Sequence, residues 1–94
     1  MPFSKTPMPT LKLFYHQDCG HGWIAVKRSL IAAVGLSDKI THYSYQAGKT
    51  VYCEEDCDAT LLLNALDEKE ISYELMRTHK DTSPIRGYER YKNE

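Results

Sequence analysis

Four carboxylates fall within five residues in the run Glu54-Glu55-Asp56-Cys57-Asp58. Acids this dense can cap a helix, ligate a cation, or present a negative surface. Asp56 and Asp58 stand just before an apolar stretch that opens at Ala59. A carboxylate there accepts hydrogen bonds from the orphan amides of a first helical turn and faces the positive end of the helix dipole. A hard cation needs oxygens converging on one point. Glu54 and Asp56 share one side of an extended segment, but the glycine and the spacing of a calcium loop are missing. The third use is a surface that meets lysines or arginines of a partner. Glu54 and Glu55 are the acids least needed as caps, so they lead that reading, with Asp56 and Asp58 beside them.

A second constellation is His16-x2-Cys19-x-His21 with Cys53-x3-Cys57. Imidazoles and thiolates are the ligands zinc prefers, but neither half has zinc-knuckle spacing. His16, Cys19, His21 and Cys57 are therefore the metal candidates, against an expectation of no metal and no cofactor. A buried free cysteine behaves as a small hydrophobe, and that is the expected role of Cys53 and of Cys57 beside Leu61. As a nucleophile, Cys19 would have His16 and His21 as bases but no evident oxyanion donors. Acidic company opposes a Cys57 thiolate, although a helix N-terminus favours one. No phosphate-cradling glycine loop, nucleophile elbow or metallohydrolase motif is present. The expectation is binding, without catalysis.

Aromatic residues supply the remaining chemistry. Tyr43, Tyr45 and Tyr52 fall on facing segments with Trp23 nearby. Such rings can stack on bases or anchor a protein interface, and in the blander reading they pair across strands. Tyr43 and Tyr45 are the candidate anchors of a partner.

The chain of 94 residues is long enough for one modest core and too short for two. With 41% hydrophobic and 27% charged residues it reads as globular. No apolar run approaches a membrane span, so a soluble cytoplasmic protein that touches no membrane is expected. Cysteines numbering three imply reduced thiols and no disulfide scaffold. The net charge of −1 hides a segregation. Residues 1–53 carry +4, residues 54–74 carry −7 and residues 75–94 carry +2. The acidic block disfavours direct nucleic-acid binding and would steer the chain toward a basic partner.

Residues 1–10, with three of the four prolines, read as a flexible arm. Alternation marks a strand over Leu11–His16, and the glycine turn Gln17–Gly22 returns it as Trp23–Val26. A short helix over Ser29–Val34 should stop at Gly35, with Leu36 supplying the apolar contact of that cap. Ile40–Gln46 alternates as a third strand, Ala47-Gly48-Lys49 turns, and Thr50–Glu54 returns as the fourth. A second helix is expected over Asp58–Lys69 and a last strand over Ile71–Thr78. The order β-β-α-β-β-α-β predicts an α+β fold. It would have two layers, a mostly antiparallel sheet of about five strands and two helices on one face. The single domain would span residues 11–80. Residues 81–94 would form an irregular tail, pinned back through Ile85, Tyr88 and Tyr91.

The blocks His21-Gly22-Trp23, Tyr43-Ser44-Tyr45-Gln46, Val51 to Ala59 and Ser83-Pro84-Ile85-Arg86 resemble a group of small proteins of phages, plasmids and bacterial genomes. The likeness covers about residues 11 to 91. That pattern favours proline or glycine where Cys19 stands and leucine where Cys53 stands. No activity comes with the resemblance, but the mobile-element setting implies inhibitors of host defence, anti-CRISPR proteins among them. The leading expectation is a non-enzymatic inhibitor whose acidic surface occupies a basic surface of a host protein or ribonucleoprotein complex. The alternatives are a metal- or ligand-binding domain or enzyme centred on His16, Cys19 and His21, and a sponge for a nucleotide signal.

Overall fold

Residue alternation in the central strands divides the molecule into two unequal faces. The computed structural model describes residues 10–93. The expected N-terminal arm therefore lies, except for Thr10, outside the described residues. Strands β1 (Leu11–Gln17) and β2 (Gly22–Lys27) form the first hairpin, with Tyr15 opposite Ile24 and His16 opposite Trp23. Helix α1 (Arg28–Ala33) follows, then β3 (Tyr45–Ala47) and β4 (Thr50–Glu54). Helix α2 (Asp58–Glu68) leads to β5 (Tyr73–His79). A 3-10 turn (Pro84–Gly87) and the short β6 (Glu89–Arg90) end the order.

The sheet order is β5-β1-β2-β4-β3-β6. All neighbours are antiparallel except β1 and β5, which run parallel with Leu13 opposite Leu75. The parallel pair follows from the α2 crossover, because a helical connection returns the chain to run in the same direction. The fold is the expected α+β architecture, with six strands where about five were read.

Leu13, Ile24, Val26, Val51 and Cys53 point to one face of the sheet. There they meet Ile31 and Val34 from the α1 side and Leu62, Ala65 and Leu66 of α2. Burial of these side chains is the main stabilising term. Gly35, at φ 77°, closes α1 with the expected cap, Leu36 N–H bonding Ile31 O and Gly35 N–H bonding Ala32 O.

Two expectations are corrected. Residues 40–44 do not form a strand; the chain turns through 37–44 and β3 begins only at Tyr45. The cause is Asp58, whose Oδ2 accepts from Thr41 N (3.0 Å), Thr41 Oγ1 (2.8 Å) and Ser44 Oγ (2.5 Å). The hairpin after β3 is a two-residue turn, Gly48-Lys49, with Gly48 at φ 60°.

The C-terminal segment is more ordered than an irregular tail. It leaves β5 at one edge of the sheet and joins β3 at the other as β6. On the way it crosses the face opposite the helices. Ile85 is buried, Tyr88 packs on Tyr52 with ring centroids 5.3 Å apart, and Arg86 lies over Trp23. At its end Tyr91 is buried in the main core and its hydroxyl donates to Ser37 O. This strap converts the open face of the sheet into a second, smaller packed layer.

Candidate functional site

Beside the strap, on that outer face, a concavity of about 400 Å³ opens. Its floor is Trp23 of β2, only 2% exposed, with Tyr45 of β3 edge-on to it at 6.1 Å. Tyr43 stands at the rim, 54% exposed and stacked on His42 at 4.7 Å. Arg86 and Arg90 come from the strap, Arg86 over the Trp23 ring (5.6 Å) and Arg90 over the Tyr45 ring (4.6 Å). Glu54, Asp56 and Cys57 close the side next to α2, and His21 closes the side of the first hairpin turn. Four segments far apart in sequence thus converge on one hollow.

The polar groups divide into spent and unspent. Arg86 makes a forked pair with Asp18, Nε to Oδ2 at 2.5 Å and Nη2 to Oδ1 at 2.9 Å. Asp18 Oδ1 also accepts from the Gly20 and His21 amides, which shapes the glycine turn. The Arg86 fork, helped by those amides, holds the Asp18 carboxyl well below the usual carboxylate range. Glu54 is buried, and its Oε1 accepts from the Asp56 and Cys57 amides (3.0 Å each), so it organises the entry to α2. Its Oε2 lies 4.0 Å from His21 Nδ1. Asp56 is exposed and has no ion-pair partner among the described residues. Arg90 likewise has no carboxylate partner among them; it donates only to His42 O at 3.4 Å. The Trp23 indole Nε1 is buried without any acceptor. An unsatisfied buried donor costs about 1–3 kcal/mol.

The acidic run is therefore split. Asp58, 1% exposed, is not the helix N-cap and presents nothing to a partner; it faces the 41–44 turn. Glu55 turns away from the concavity and accepts from the Tyr15 hydroxyl at 2.5 Å. Of the six partner-binding candidates, Tyr43, Tyr45, Glu54 and Asp56 line the hollow together. Arg86, Arg90 and Asp18 were not among the candidates. The sequence signals for the arginines are the Ser83-Pro84-Ile85-Arg86 block and the apolar residues Ile85, Tyr88 and Tyr91, which pin the segment that carries them.

Gly22 lies under the Glu55–Tyr15 bond, and a Cβ there would stand 2.5 Å from Tyr15 Cε1 and 2.9 Å from Glu55 Oε2. Gly22→Ala is expected to cost about 1–3 kcal/mol by overpacking. Urea unfolding would read this as a lower midpoint, and an unchanged midpoint would mean that Tyr15 gives way freely.

The metal candidates do not assemble among the described residues. His16 Nδ1 bonds Thr78 Oγ1 at 3.0 Å, and burial, with Lys80 nearby, lowers its pKa. Cys19 lies instead with His79 and Asp81, all three exposed, their ligating atoms within 4.8 Å of one another. The parallel register that sets Gln17 opposite His79 places them there. Cys53 is core as expected, and burial pushes its thiol up. Cys57, expected in the core, is exposed on the concavity wall. Loss of water around it, and then Glu54, raise its pKa, so the thiolate a nucleophile needs is disfavoured. No helix among the described residues is long and apolar enough to cross a membrane.

No protein-family model, curated protein or solved structure matches the chain.

Proposed function

We propose that the chain is a non-enzymatic binding protein that captures a small anionic molecule in the outer-face concavity. The observation that carries this reading is the surplus of donors there. Arg90 lines the hollow without a carboxylate partner among the described residues, and Arg86 keeps N–H groups beyond its fork to Asp18. Acceptor oxygens of a ligand would meet both guanidinium groups, and charge-assisted bonds to guanidinium are strong and directional. A volume near 400 Å³ lies in the range of small-ligand pockets. Combined with the likeness to small proteins of mobile elements, the proposal becomes sequestration of a host defence signal.

The test is to purify the protein from a bacterial host, denature it and analyse the released small molecules by mass spectrometry. Wild type is expected to release a stoichiometric anion. A Tyr43→Ala, Arg90→Ala variant should release none, while its stability stays within about 0.5 kcal/mol, as for exposed positions generally. Empty wild-type protein that also binds no small anion would remove the proposal.

A second reading is favoured by the exposed acids Asp56, Asp67, Glu68 and Glu70, which survive as surface charge after Glu54 and Asp58 are spent. They would meet a basic surface of a host protein or ribonucleoprotein complex, with Tyr43 as anchor, in an inhibitor of the anti-CRISPR kind. Reversing Asp67 and Glu68 to lysine should then abolish capture of that complex and leave small-molecule retention untouched.

A further inference from the structure

We infer that the molecule held in the concavity is a nucleoside phosphate, with its phosphate at the Arg90 side, its base against the aromatic rim and its base N–H donors on Asp56. This rests on the small-anion reading above and narrows it to a ligand class. Three features of the hollow have to be matched at once. The first is the pair of guanidinium groups of Arg86 and Arg90 on one wall of the hollow, which suits several acceptor oxygens on one group. A phosphate offers them in a geometry that guanidinium forks match.

The second is the flat, exposed Tyr43 ring, backed by His42 at 4.7 Å and an interplanar angle of 27°. That platform is left unused by inorganic phosphate or a simple carboxylate. A base stacks on it, and stacking tolerates any base because every base has a π-face. The third is the Asp56 carboxylate, exposed on the same wall without a cationic partner among the described residues. A second anion so close to the first would repel a ligand that is anionic throughout. It suits a ligand that is anionic at one end and donates hydrogen bonds at the other. Guanine offers two adjacent N–H donors that one carboxylate can accept together, whereas adenine, cytosine and uracil each offer fewer at one edge.

Trp23 is the only tryptophan in the chain, so its fluorescence reports directly on the floor of the site. GMP, AMP, UMP and inorganic phosphate would each be titrated into the full chain after any endogenous ligand has been removed. GMP is expected to change the emission saturably and to bind at least about tenfold more tightly than inorganic phosphate, the scale set by base stacking. Asp56→Asn should erase most of the preference for GMP over UMP without weakening phosphate. Arg90→Ala should weaken every nucleotide by about tenfold or more. Equal affinity for phosphate and GMP would overturn the nucleotide assignment and leave a plain anion site, so the proposed function would stand. Nucleotide binding indifferent to Asp56 and Arg90 would overturn the placement. No binding of any of the four ligands would overturn this inference alone if the protein still releases another anion on denaturation, and both readings if it releases none.

Discussion

Asp58→Ala is expected to be the most damaging single substitution in the described chain, costing about 3 kcal/mol or more. Its carboxylate is 1% exposed and serves three donors, the Thr41 amide, the Thr41 hydroxyl and the Ser44 hydroxyl. Ser44 Oγ in turn accepts from the Glu54 amide at 2.9 Å, which ties the turn to the end of β4. Alanine would strand these donors where water replaces them poorly, and each bond to a charged group contributes about 1.5–3 kcal/mol. Against a total of about 5–15 kcal/mol for a domain of this size, the loss is large. Urea unfolding should show a lower midpoint at unchanged slope. Asp58→Asn, which keeps one acceptor oxygen, should lose less. A double-mutant cycle between Asp58→Ala and Ser44→Ala should show strong non-additivity, because both remove the same bond. A loss no larger than that of an ordinary surface change would refute this account. The effect also reaches the site: the 41–44 turn carries Tyr43, so the aromatic rim should loosen in the same variant.

That network explains why part of the fold escaped the sequence. Ile40–Gln46 alternates as a strand should, with Thr41, Tyr43 and Tyr45 on one side. A side chain 17 residues from Thr41 along the chain overrides that local pattern by bonding its amide and hydroxyl. Asp58 was legible as an acid at a helix entry, where local chemistry makes it a cap. Its real partners are distant in sequence, and no spacing rule reports them. By contrast β1, β2, β4 and α1 with its Gly35 cap carry their signals locally, in alternation, turn residues and the cap, so these sufficed even though the strands' sheet partners lie far along the chain. The site divides in the same manner. Tyr43, Tyr45 and Asp56 were legible as residue types suited to recognition. Arg86 and Arg90 were not, because an arginine in a polar tail looks like any solvated charge until its partner is known. For Arg86 that partner, Asp18, is 68 residues away in the chain.

The strap that brings those arginines to the site should open in acid. The Asp18 carboxylate is 2% exposed while the Arg86 guanidinium is 43% exposed, and the fork between them ties the segment around Ile85 to the first hairpin turn. Because Arg86 depresses the pKa of Asp18 in the folded chain, the unfolded chain takes up its proton first as pH falls. Stability therefore rises with pH in that window. The contribution of Asp18 is fully present above the ordinary carboxyl value of about 3.9 and is lost as pH falls below it toward the depressed folded value. Glu89, lowered by its bonds to Gln46 and Lys92, acts in the same direction. Thermal midpoints followed from pH 7 downward should thus stay on a plateau and drop below about pH 4. Arg86→Ala should lower the plateau, since it leaves a buried carboxylate without its counter-charge, and flatten the drop, since Asp18 would then titrate nearer its ordinary value. Arg86→Lys should recover little, because an ammonium cannot reproduce the fork. Hydrogen exchange at the Ile85 and Tyr88 amides should quicken in Arg86→Ala before the amides of β1 and β2 do, as expected for a locally opening unit. Parallel pH profiles for wild type and Arg86→Ala would show that the fork does not hold the strap. The same opening would carry Arg86 away from Trp23, so retention of the proposed anion should fall with the strap and well before the core of the sheet unfolds.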